Sequence, residues 1–468
     1  MTTNSAQQTK RRGVMQSLTG MSVRYVERLM PDPYLFAVIL TLIVAGLVAV
    51  LVRGASADGM VSAWYGGVWG SENIFTFAFQ MVLILVTGYT LAEAPVLKRA
   101  IGRVAAMPRN QAQAALLCFA VSAVLSLLNW GLGLVAGALV ARQVARRFPD
   151  SHFGYLIAAA FMGFIVWTQG LSSSIALANT DAGSPINVIH RITGFIVPLR
   201  HTIFQPYSWL SVIIVLAVLA LAVWRMEPSE RLAPDPAVFE DDDQPLEPQD
   251  ARTFAEWLEN LWILNVLVFA AGIAYFVMSG FALNISSMIM LFTITSALLH
   301  RTPIRFIRAF TGAAKVSGPL LLQYPLYGGL VGLLAYRGAE DAEPLQTLLA
   351  QMLVNGATQY TLPFLTFLGS VIISLFVPSG GGHWAVQGPV AVDSALAIGQ
   401  HSPAYLGLIS MAVAVGEGVA NMIQPFWLLP LLAIAKLNVR QVMGFTVVAF
   451  VVGLAVMGAM TLVAPWMV

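Results

Sequence analysis

Long apolar runs with almost no charge constrain this chain more than any other feature. Inside hydrocarbon every backbone N–H and C=O must be satisfied within the spanning segment, so such runs fold as α-helices of about 20 residues. Runs of this kind lie at 34–52, 75–93, 209–224, 261–279, 283–299, 312–336 and 441–465. Charged residues make up only 10% of the 468 positions, against about 25% in soluble domains. The fold class read from this is an all-α polytopic membrane protein. A net charge of +2 leaves no basic footprint for a nucleic-acid partner. The single cysteine, Cys118, sits inside an apolar run, so there is no disulfide framework.

Four further apolar stretches are interrupted. Residues 112–141 are broken at Leu128-Asn129-Trp130-Gly131-Leu132-Gly133. The stretch is too long for one span and too short for two, and basic residues flank it at 98–109 and 142–147. Both ends then lie on the cytoplasmic side, which predicts a re-entrant helical hairpin with its tip at 129–133. Residues 155–178 are broken by Thr168-Gln169-Gly170-Leu171-Ser172-Ser173-Ser174. Residues 355–399 contain Val377-Pro378-Ser379-Gly380-Gly381-Gly382-His383-Trp384, between arms short by spanning standards. Residues 403–435 contain Gly416-Glu417-Gly418-Val419-Ala420-Asn421-Met422-Ile423-Gln424-Pro425. Non-helical backbone at membrane depth survives only where protein covers it or where it lines a polar cavity.

The order of these parts repeats. Residues 30–225 hold two spans, a hairpin (112–141), a broken helix (155–178) and a closing span, and 283–465 hold the same series with hairpin 355–399 and broken helix 403–435. Residues 1–29 read as a cytoplasmic arm, 226–260 as an acidic cytoplasmic linker with Glu240-Asp241-Asp242-Asp243, and 261–279 as a connecting span that inverts the second copy. Residues 54–59 read as a polar loop and 337–352 as an external one. Twenty Lys and Arg fall on the side assigned to the cytoplasm and four on the other, which orients the N-terminus inside and the C-terminus outside. Asn129 precedes the break at Thr168 by 39 residues, and Pro378 precedes the expected break at Gly416 by 38. Interrupted segments at corresponding places in two inverted halves point to a transporter's binding site.

Four strings carry a resemblance to a known family. They are Leu29-Met30-Pro31-Asp32-Pro33, Asn129-Trp130-Gly131-Leu132-Gly133, Pro378-Ser379-Gly380-Gly381-Gly382-His383-Trp384 with Gln387-Gly388-Pro389, and Asn421-Met422-Ile423-Gln424-Pro425-Phe426-Trp427. Over roughly 20–465 the chain resembles the bacterial short-chain fatty acid transporters, which are similar to the ion-transporter superfamily. The resemblance implies two inverted repeats with re-entrant hairpins, a scaffold plus a transport domain, elevator-type alternating access, a homodimer and the bacterial inner membrane. It implies a short-chain carboxylate such as butyrate or acetoacetate as substrate, and no cofactor beyond a coupling ion.

A carboxylate at the membrane midplane needs donors in place of water. Free N–H groups at helix starts supply them without a buried cation, and glycine lets a ligand approach the backbone. The candidate substrate residues are Asn129, Trp130, Gly131, Gly133, Ser172, Ser173, Ser379, Gly380, Gly381, Gly382, His383, Trp384, Asn421 and Gln424. The indoles of Trp130 and Trp384 pair an apolar face with a donor. Glu417, Asn129, Thr168 and Asn421 are the candidate ion-coupling residues. A charge at the position of Glu417 costs about 2.5–3.5 kcal/mol on insertion scales. A protonated Glu417 suits H⁺ coupling, and an ionised one with unwound carbonyls suits Na⁺. No Walker loop, nucleophile elbow or metal motif is present. The reading is a secondary transporter and not an enzyme; the alternative is a cation/proton antiporter on the same fold.

Overall fold

The computed structural model describes residues 32–70, 75–184, 186–236, 238–239, 253–354, 356–378 and 380–468. The N-terminal arm, the Glu240–Asp243 run and Ser379 lie outside them. The described elements are α-helices and short 3₁₀ turns. Six helices are long and apolar enough to cross a membrane, or up to eight if each of two bent pairs counts as one span. Their outward faces carry exposed Leu42, Val50, Ile213, Leu267 and Met278. An apolar surface of this kind is what hydrocarbon solvates.

Two helix pairs occupy the stretches read as hairpins. Gln111–Leu128 and Trp130–Arg147 are joined through Asn129 alone. A Cβ on Gly133 would overlap Ser126, and one on Gly137 would meet Ser122, so the arms run antiparallel at close approach. The second arm extends past residue 141 to Arg147. Leu362–Phe376 and Gly380–Ala397 form the second hairpin, clamped where Gln387 Nε2 donates to Thr366 O at 2.8 Å.

The stretches 155–178 and 403–435 are each interrupted, the second later than Gly416. The first runs Phe153–Gly163, tightens into a 3₁₀ turn at Phe164–Gln169, stops at an extended Gly170 and resumes as Ser174–Ala178. The second is helical over Pro403–Ala420, straight through Gly416, and opens only at 421–425 before Phe426–Leu428 and Leu429–Ala435. Gly416 and Gly418 do not unwind the helix; they let it pack. A Cβ on Gly416 would press on Ser370 and Phe367 O, and one on Gly418 on Ile165 O. The interruption belongs to Pro425, which disfavours helical geometry at Gln424 before it.

Three local expectations are corrected. The polar loop at 54–59 leads into a helix, Ala57–Trp69, capped where Gly59 N–H donates to Ser56 Oγ. Its Gly67 lies against Gly332 of the Gly318–Ala335 helix. The loop expected at 337–352 contains most of the helix Leu345–Val354. The first part of the linker is docked rather than solvated. Arg142 Nη2 donates to Val238 O at 2.6 Å, Arg231 Nη1 to Asp150 O at 2.5 Å, and Phe153 N–H to Leu232 O at 2.8 Å. Residues 226–236 with 238–239 thus strap the region between the first hairpin and the first broken helix.

Candidate functional site

The first tip is tied to the first break by backbone geometry. Asn129 is extended and caps the second arm, its Oδ1 accepting from Leu132 N–H at 2.9 Å. Trp130 N–H donates to Ser172 Oγ at 2.9 Å, and Leu171 N–H to Leu127 O at 2.7 Å. Ser173 caps the resumed helix through Ala176 N–H at 3.5 Å. Asn129, Ser172 and Ser173 are therefore occupied in holding the turn. Gly131 and Gly133 are also committed to packing: a Cβ on Gly131 would lie 2.7 Å from Ile84 O, and Gly133 is filled by Ser126. Room for a carboxylate, the use expected of these two glycines, is taken by neighbouring backbone and side chain.

The second tip reaches both breaks. A Cβ on Gly380 would overlap Ser174 Oγ, come within 3.2 Å of Glu417 Oε2 and 3.3 Å of Trp167 Cη2. Gly381 is buried and Gly382 half-buried. His383 is fully buried, with Nε2 paired to Gln387 Oε1 at 2.7 Å and Nδ1 free of a hydrogen-bond partner. Trp384 points elsewhere than expected. Its Nε1 donates to Asn179 Oδ1 at 3.2 Å, and it belongs to a separate apolar core with Val188, Val392 and Leu406. It shares no cluster with Trp130.

The remaining candidates Gln424, Asn421 and Glu417 lie in the second break or in the helical turn before it. Gln424 bridges to Tyr327 OH at 2.8 Å and accepts from Phe426 N–H at 2.7 Å, so it is satisfied. Asn421, with its amide oxygen toward Trp167, accepts from that indole's Nε1 at 3.2 Å and donates to Glu417 O at 3.3 Å. Glu417 is completely buried and neither carboxylate oxygen has a hydrogen-bond partner. Lys315 is exposed and offers it no ion pair. Thr168 Oγ1, Ser174 Oγ and Tyr324 OH are likewise buried without partners, and Tyr324 lies within electrostatic reach of Glu417.

Beside these groups stands an aromatic cluster. Trp130 and Trp427 meet edge-on at 4.7 Å between centroids, Trp167 lies 6.4 Å and 6.0 Å from them, and Phe164 stacks on Trp167 at 5.6 Å. Tyr324 and Tyr327 pack edge-on against Phe426. Sequence reasoning did not single out Trp167, Tyr324 and Trp427, which stand beside these groups. Trp427 was visible at the end of the string Asn421–Trp427, and Tyr324 stood between Gln323 and Pro325 in an apolar run. Nothing local told them from packing aromatics.

Broken helices that cross at buried, unpaired polar groups, within a multi-pass helical bundle, define a membrane transporter. A buried carboxylate without a partner is costly, which makes Glu417 a candidate functional group within the bundle. The chain belongs to the family described as short chain fatty acid transporter, whose sequence model matches residues 14–463. It is 37% identical over 446 residues to the "Putative short-chain fatty acid transporter" of Escherichia coli (strain K12), covering 92% of this chain and 97% of that one. The Haemophilus influenzae protein of the same name is 34% identical over 443 residues, covering 91% and 95%. Among solved structures, the chain is similar to the Alcanivorax borkumensis YdaH transporter, with a TM-score of 0.49 and 18% identity over 93% of this chain and 98% of that one.

Proposed function

We propose that this protein is a secondary transporter of short-chain monocarboxylates of the butyrate or acetoacetate type, with a coupling ion bound at Glu417. The observation that carries the reading is the Glu417 carboxylate, fully buried and unpaired one helical turn before the second break, where Gly380 of the second tip approaches it and Ser174 of the first break. A substrate carboxylate beside an ionised Glu417 would place two like charges in a dehydrated site, which is strongly unfavourable. A protonated Glu417 removes that repulsion, so proton and substrate travel together. The oxygens of Thr168 and Ser174 favour Na⁺ as the second reading, since hard cations take oxygen ligands. Two inverted repeats, the parts 30–225 and 283–465, a scaffold and a moving transport domain, elevator-type exchange, a homodimer, an inner-membrane location and an N-terminus inside belong to the same proposal. It is supported by two hairpins that each lead into a broken helix.

Binding to the purified full-length protein in detergent tests this without interference from passive permeation of the acid. Butyrate affinity is measured across pH in NaCl and in a Na⁺-free salt. With H⁺ as partner, affinity falls about tenfold per pH unit above the pH at which Glu417 ionises in the free protein, and Glu417→Gln flattens that profile. A requirement for Na⁺ with a flat pH profile selects the second reading. Absence of butyrate binding under every condition refutes the proposal.

A further inference from the structure

An anion at the crossing of the two breaks finds no cationic side chain. Among the described residues, Arg142 is the buried Lys or Arg, and it is spent on Val238 O at the base of the first hairpin. Recognition of a carboxylate there falls to neutral donors. Two buried indole N–H groups stand at the crossing without acceptors, Trp130 Nε1 and Trp427 Nε1. They come from the first tip and from just past the second break, and their rings touch. The third indole of the cluster, Trp167, is already paired to Asn421. A buried N–H left without an acceptor destabilises a fold unless a ligand supplies the missing oxygen.

We propose that the indole N–H groups of Trp130 and Trp427 are the paired donors that bind the two oxygens of the substrate carboxylate. This rests on the monocarboxylate reading above and assigns its recognition to two residues that otherwise look like core aromatics. Both oxygens of a carboxylate accept, so two separate donors from two halves of the chain match it. A primary amide of the same length offers one acceptor oxygen and binds more weakly. The apolar faces of the same rings, with Trp167 and Phe164 behind them, take the acyl chain. Bulk this close to the donors favours short chains.

The test uses the purified full-length protein and the variants Trp130→Phe and Trp427→Phe, which keep an aromatic ring and delete the donor. Thermal unfolding with and without butyrate gives ligand-free stability and affinity from the same samples. Each variant is expected to weaken butyrate binding about ten- to hundredfold, the range for one hydrogen bond to a charged group. Each also removes ring bulk from a fully buried, packed position and so lowers ligand-free stability to some degree; the donor role is read from the loss of preference for butyrate over butyramide, which lost bulk alone does not change. Butyramide should bind wild type at least tenfold more weakly than butyrate and should gain no discrimination from either indole in the variants. Wild-type binding retained at full strength by both variants overturns the assignment and leaves the monocarboxylate reading standing. So does an equal weakening of butyrate and butyramide in the variants, the mark of a packing role. Failure of wild type to bind butyrate overturns both.

Discussion

Replacing Gly380 by alanine tests whether the second tip rests on both breaks. The added Cβ would overlap Ser174 Oγ and press on Glu417 Oε2 at 3.2 Å and Trp167 Cη2 at 3.3 Å. Trp167 cannot retreat freely, since Phe164 stacks on its face at 5.6 Å. Overpacking of this kind costs about 1–3 kcal/mol. Ser174→Ala alone has the opposite sign. Its hydroxyl is buried without a partner, so deleting it is neutral or stabilising by up to about 1–3 kcal/mol. In the double variant the worst overlap is gone, and Gly380→Ala should then cost at least about 1 kcal/mol less than in wild type, within the coupling range of contacting residues. Denaturant or thermal unfolding of the four purified proteins closes the cycle. Additivity to within about 0.5 kcal/mol would refute the claim that these two residues touch.

Three other outcomes follow from the packing. Gly131→Ala drives a Cβ into Ile84 O at 2.7 Å and should destabilise by about 1–3 kcal/mol, whereas Gly102→Ala, in open space on a helix, should stabilise by up to about 1 kcal/mol; unfolding of both variants checks the contrast. Arg142→Ala deletes the hydrogen bond to Val238 O and should expose the docked 226–236 segment to limited proteolysis, with cleavage there several times faster than in wild type. His152 caps the first broken helix by accepting from Tyr155 N–H at 3.1 Å, and burial holds its imidazole below the ordinary value of 6.5. The unfolded chain therefore binds the proton first, so stability is full above about pH 6.5 and declines as pH falls through that value toward the folded one. His152→Asn keeps an acceptor, loses the titration and should flatten the pH dependence of unfolding in that window.

The course of the chain was legible in the sequence where local rules govern it. Apolar length set the spans, and Asn129, Gly170 and Pro425 set the interruptions, because a missing donor or a disfavoured backbone angle acts on its immediate neighbours. Gly416 misled for the same reason. A glycine in an apolar run signals either a break or a close approach, and Ser370, far away in sequence, made it the latter.

Which polar groups remain available was decided only by tertiary structure. Trp384 and Trp427 look alike along the chain, yet Asn179, 205 residues from Trp384, satisfies one indole, and nothing accepts from the other. Gln424 is spent on Tyr327, 97 residues away, and Ser172 on the Trp130 amide. Glu417 announced itself as a costly acid in an apolar segment, but its lack of a partner depends on what the second tip and the Gly318–Ala335 helix bring beside it. Hydrogen-bond satisfaction is a property of neighbours in space, and no spacing within a segment encodes it. The sequence determined a membrane transporter with interrupted apolar segments; the fold decided which of the polar candidates at those interruptions are left without a hydrogen-bond partner.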